Sequence, residues 1–132
     1  MMNRRQLREQ IFKLLFRVEF NAPEDMPEQK ELFLVENDEF DESDQDIIDS
    51  KYTRIMEKLT QIDALINEKA KGWSTQRMGK VELTIIRLAV YEMLFDEEIP
   101  TSVAINEAVE LAKKFGQDES SAFVNGVLAK FA

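Results

Sequence analysis

Ile48, Tyr52, Ile55, Leu59, Ile62 and Ile66 recur at steps of 4, 3, 4, 3 and 4 residues. Only a helix brings positions so spaced onto one face, because successive side chains turn by about 100°. A strand would send them to alternate faces. The ladder predicts one long helix over 45–71, closed by Gly72 as a left-handed cap, with Ser43-Asp44-Gln45-Asp46 as a capping box at its start. A helix with one apolar face has to bury it against other elements, and no sustained period-2 run supplies a sheet.

The remaining periodicities are helical too. Leu7, Ile11, Leu14, Leu15 and Val18 form one stripe, and Phe12, Phe16 and Phe20 a second at i, i+4 and i+8. This helix is apolar over more than half its circumference and ends at Asn21-Ala22-Pro23. Pro27 opens a short helix near 28–37. Trp73 is expected to pack back over the core, and 74–79 to form a turn. Residues 80–95 are apolar nearly all round, so Glu82, Arg87 and Glu92 must be paired or mark an exposed strip. Thr101 or Ser102 caps a helix over 102–115, and Asp118 caps a last one over 119–131. Gly126 costs a helix about 1 kcal/mol relative to alanine, so a close helix–helix approach is expected there. The result is an all-α chain of six or seven helices, with Gly72 as the place where two three-helix halves divide.

Composition removes whole classes of chemistry. The chain has 132 residues and neither cysteine nor histidine, so disulfides, thiolate sites, cysteine nucleophiles and imidazole bases or ligands are all excluded. No GxSxG, GxxxxGKS or GxGxxG is present, and no cofactor or metal is implied. An enzyme is not expected. No run approaches 18 apolar residues, and the N-terminal stretch lacks the uninterrupted apolar core of a signal peptide, so a cytoplasmic protein is the expectation.

Charge is unevenly distributed. The chain carries a net −9, yet residues 1–20 hold Arg4, Arg5, Arg8, Lys13 and Arg17 against only Glu9 and Glu19, a surplus of three cations. Arginines in a first helical turn oppose the helix dipole. They are either a solvated helix end or a contact for an anion, and arginine suits phosphate. Residues 24–49 are the opposite: twelve carboxylates with Lys30 as the only cation. A solvated acidic surface is expected there; an acidic contact for a basic partner is the alternative. In the last helix, Phe123 and Asn125 fit either a packed core edge or a base-stacking platform.

"RRQLRE" at 4–9, "IIRLAVYEM" at 85–93, "IPTSVAINEAVELAKKFG" at 99–116 and "FVNGVLAKF" at 123–131 resemble the NusB family of bacterial transcription antitermination factors. The resemblance runs end to end, densest over 81–131 and weakest over 22–50. It implies two packed three-helix bundles, here 1–72 and 73–132. It also implies binding of boxA-like single-stranded RNA together with NusE, a ribosomal small-subunit protein, in support of processive RNA polymerase on ribosomal RNA operons. Carried over residue by residue, Arg4, Arg5, Arg8, Phe123 and Asn125 become RNA contacts, and Phe16 and Glu82 become partner contacts. The family often has Tyr where this chain has Phe16, and Asp-Ser where this chain has Glu119-Ser120. Its basic run is often denser, so RNA affinity without NusE is expected to be weak. NusB-like domains also occur fused to RNA methyltransferases; with 132 residues the free-standing factor is the expectation. The resemblance allows a monomer or a homodimer. The runner-up reading is an acidic interaction module for a basic ribosomal-type partner, with no RNA role of its own.

Overall fold

The computed structural model describes residues 1–132. Its elements are α1 (Arg4–Phe16), 3-10 turns at Arg17–Phe20 and Pro23–Asp25, α2 (Met26–Glu36), α3 (Glu42–Lys69), α4 (Lys80–Phe95), α5 (Thr101–Phe115) and α6 (Ser120–Ala129), with no strand. Two compact units form, Met1–Met56 and Glu57–Ala132, dividing inside α3. The boundary expected at 72/73 therefore falls within the second unit.

In the first unit the buried apolar side chains are Ile11, Phe12, Leu14 and Leu15 of α1, Met26 and Phe33 of α2, and Ile48, Tyr52 and Ile55 of α3; Leu7 and Val18 of the α1 stripe are half-buried. The α-helical geometry of α1 stops at Phe16 and tightens to 3-10 over Arg17–Phe20. Tightening changes the turn per residue, so the Phe12–Phe16–Phe20 stripe swings outward at its end. Phe12 and Phe16 stack at 5.9 Å and Phe16 meets Phe20 edge-on at 5.0 Å, yet Phe20 is 61% exposed.

The acidic block is largely solvated, as expected: ten of its twelve carboxylates are exposed, Asp44 and Asp49 being the exceptions. Asp44 is buried and accepts the Met2 N–H at 2.8 Å. Glu36 pairs with Arg17 at 2.8 Å, Asp49 with Lys30 at 3.0 Å, and Asp41 with the Met1 ammonium at 3.2 Å. Several carboxylates thus tie α2, α3 and the N-terminal segment together inside this unit. No three acids converge to hold a metal ion.

In the second unit α4, α5 and α6 pack pairwise. Ten consecutive residues of α4, Leu83 to Glu92, are buried, as all-round apolarity demands. The charged ones are paired. Arg87 forms a two-pronged ion pair with Asp63 of α3, Nε to Oδ1 and NH2 to Oδ2, both 2.8 Å. No buried side-chain nitrogen or oxygen lacks a hydrogen-bond partner.

Three caps differ from expectation. Asp41, not Ser43, starts α3: its Oδ1 accepts the Asp44 N–H and the Ser43 hydroxyl, each at 2.8 Å. Pro100 occupies the N-cap of α5, its carbonyl accepting the Val103 and Ala104 N–H groups, and Thr101 is already helical. Glu119, not Asp118, sits at the N-cap of α6. Gly72 does adopt the left-handed conformation, φ +86°. Gly126 makes no close approach: a Cβ there would meet nothing within 4 Å. Its backbone φ is not positive, so Gly126→Ala is expected to stabilise the chain by about 0.5–1 kcal/mol, read as a raised midpoint in urea.

Candidate nucleic-acid interface

The start of α1 is capped, not frayed. Asn3 Oδ1 accepts the Gln6 N–H at 2.8 Å, and Gln6 Oε1 accepts the Asn3 N–H at 2.9 Å, a reciprocal capping box. Arg4 and Arg5 are the first two helical residues, and both are exposed. Arg8 is different: it is 7% exposed and belongs to the buried set of α1. Of the three arginines that the resemblance assigns to RNA, two are exposed and one is buried. Burial takes Arg8 because it lies one turn on from Arg4, nearer the apolar stripe that carries Ile11 and Leu15. Further along α1, Phe16 is half-buried between the rings of Phe12 and Phe20.

The second unit holds the other candidates. Glu82, in the first turn of α4, accepts the Ser120 hydroxyl at 2.9 Å, while Ser120 Oγ accepts the Gln117 N–H at 2.9 Å. Ser120 opens α6, so this chain of bonds fixes the start of α6 against α4. Gly116 makes room for it: a Cβ there would lie 2.6 Å from Ser120. Glu82 is thus committed to an intramolecular bond that places α6. One turn on, Phe123 is half-buried and meets the Trp73 ring edge-on at 5.5 Å, and Asn125 is exposed. Trp73, expected to pack back over the core, lies against Phe123 and stands 50% exposed. Nothing in the helical periodicity marks this contact, because Trp73 lies in the loop before α4.

Two titratable groups are strongly displaced, both away from neutrality. The Asp41 carboxyl is lowered to about 2, chiefly because it accepts the Asp44 N–H, then the Ser43 hydroxyl and a bond from the N-terminal ammonium. Burial, and then the charge of Asp49, push the Tyr52 phenol up to about 12. Neither is tuned for proton transfer near neutral pH. What the exposed side chains at these places offer is guanidinium, amide and aromatic surface, the groups that bind phosphates and bases.

A model described as the NusB family matches residues 5–132. The chain belongs to the NusB family. It is similar to the transcription antitermination protein NusB of Agathobacter rectalis, 56% identical over 131 residues, covering 99% of this chain and all of that relative. Among solved structures it is similar to T. maritima NusB, with TM-score 0.88 and 38% identity over 99% of this chain and 91% of that one. It is also similar to a chain in a crystal structure of antitermination factors NusB and NusE in complex with dsRNA, with TM-score 0.79 and 25% identity over 96% and 92% of the two chains. The all-helical architecture is thus that of the NusB fold. No helix here is long and apolar enough to cross a membrane.

Proposed function

We propose that this NusB-family chain is a non-enzymatic, cytoplasmic transcription antitermination factor. It binds boxA-type single-stranded RNA of ribosomal RNA operons together with NusE and supports processive transcription. The observation that carries the RNA role is the exposure of Arg4 and Arg5 on a firmly capped helix start. Two cations at the positive end of a helix dipole are unfavourable by about 0.3–1 kcal/mol each, a cost that a bound phosphate would offset. Arg4 and Arg5 in the first unit, and Phe123 and Asn125 in the second, are the RNA contacts, with buried Arg8 holding the start of α1 in place. Phe16 is a partner contact, and Glu82 serves by positioning the start of α6. A chain of net charge −9 meets RNA over a restricted surface, and a basic partner such as NusE supplies further neutralisation.

The test is titration of labelled boxA RNA, followed by fluorescence anisotropy at two salt concentrations with and without NusE. Binding should tighten with NusE and weaken with salt, log K falling by about 0.7 per phosphate neutralised for each unit of log salt. A duplex of the same sequence should bind less tightly than the single strand. NusE binding with no RNA binding under any condition would favour the acidic interaction module instead.

A further inference from the structure

Residues 69–80 hold Lys69, Lys71, Arg77 and Lys80 with no acid among them. In a chain of net charge −9 this is a pronounced local reversal of sign. All four side chains are exposed. In the middle of the segment stands Trp73, half of its surface open to solvent. Phe123 borders its ring edge-on, and the Arg77 guanidinium carbon lies 5.8 Å from the ring centroid. Beside the indole is an open groove of about 520 Å³, whose lining includes Gly72, Thr75, Gln76 and Arg77.

The loop that carries the indole is held firmly. Gly72 turns the chain at the end of α3 with φ +86°. Asn67 Oδ1 accepts the Thr75 N–H at 2.7 Å, and its amide nitrogen donates to the Thr75 hydroxyl at 3.4 Å. The Arg77 N–H donates to the Ser74 carbonyl at 2.9 Å, and Met78 anchors the far end in the core. Arg77 NH1 donates to the Gly72 carbonyl at 3.4 Å, which keeps the guanidinium over one face of the ring and leaves the other face for a base. An aromatic ring half open to solvent on a fixed loop, in a segment whose charged side chains are all cations, is a preorganised surface.

We propose that Trp73 is a stacking platform for an unpaired base of single-stranded RNA, with Arg77, Lys69 and Lys71 taking the flanking phosphates. This rests on the RNA-binding reading above and extends it from Phe123 to the adjoining loop. The chemistry selects the ligand. An indole face accepts any base by stacking, and the cations track the backbone. A base inside a duplex has no free face to give, so an unpaired strand is required. Asn67 spends both ends of its amide on Thr75, which leaves exposed Gln76 in the groove lining as a group able to meet a base edge.

Trp73 is the only tryptophan in the chain, so its emission reports on this place alone. The full chain is titrated at low salt with boxA-type single-stranded RNA, following indole emission in one series and anisotropy of labelled RNA in another. Emission should be quenched along the anisotropy isotherm, and the matching duplex should leave it unchanged. Trp73→Ala should weaken RNA binding roughly tenfold, and Trp73→Phe should retain most of the affinity. Circular dichroism checks that both variants remain helical. Lys69→Ala and Lys71→Ala should each reduce the salt slope by about 0.7. RNA that binds by anisotropy with unchanged indole emission, and equally well to Trp73→Ala, overturns the platform and leaves the RNA-binding reading standing. No RNA binding at all overturns both.

Discussion

Replacing Asp63 with alanine is expected to destabilise the folded chain by about 2–3 kcal/mol. Arg87 lies in the buried stretch of α4, its side chain 9% exposed, and Asp63 satisfies it through two parallel 2.8 Å bonds. Truncating Asp63 removes the carboxylate that makes both of these bonds to a buried guanidinium, which is the costly way to break a buried pair. Asp63 is itself 27% exposed, so water can reach the vacated place, and the loss belongs at the lower end of the range for such pairs. For a chain of this size the thermal midpoint should fall by roughly 10 °C. Asp63→Asn keeps one acceptor and should lose less. The double variant Asp63→Leu/Arg87→Met removes both charges and should recover much of the loss, because well-packed apolar side chains often replace a buried pair at little cost. Urea unfolding of the four proteins checks the series. A loss below about 0.5 kcal/mol for Asp63→Ala would mean that Arg87 finds another partner without strain.

That ion pair illustrates which parts of the structure are legible from the residues. The all-round apolarity of 80–95 already requires a partner for Arg87. The identity of the partner is not legible, because Asp63 lies 24 residues earlier, on a helix whose exposed side carries several other acids. Helices follow directly from spacing: the ladder from Ile48 to Ile66 gives α3, and Gly72 ends it in the left-handed conformation. Caps are harder, since Ser43, Thr101, Ser102 and Asp118 are all acceptable cap residues. The choice among neighbours is made by where the buried face sets the helix axis, so Asp41, Pro100 and Glu119 serve instead. Gly126 shows the converse error, in which an unfavourable residue suggests a packing reason that the open space around it does not supply. At the candidate interface, spacing puts Arg4 and Arg8 one turn apart on the edge of the apolar stripe. Which side of that edge is buried depends on neighbouring helices. The acid-free run of 69–80 around Trp73 is visible in a count of charge by window, but helical periodicity does not reveal it.

The difference between the arginines leads to the second large effect. Arg4→Ala/Arg5→Ala is expected to weaken RNA binding by about 10- to 100-fold, from the loss of two charge-assisted phosphate contacts. Its salt slope should be shallower by about 1.4, at 0.7 per contact for a single strand. Stability should hold or rise slightly, because two cations leave the positive end of the α1 dipole while the Asn3–Gln6 box remains. Arg8→Ala should behave in the opposite way. Its side chain is buried, so its removal should cost about 1–3 kcal/mol of stability. The RNA affinity of the molecules that stay folded should change less than in the double variant. Anisotropy titrations paired with urea unfolding separate the two losses. If the double variant keeps the parent affinity and salt slope, Arg4 and Arg5 are a solvated helix end, and the phosphate contacts of this chain lie elsewhere. If Arg8→Ala loses affinity with full stability, then Arg8 leaves its buried position to meet the RNA, and the arrangement at the start of α1 changes on binding.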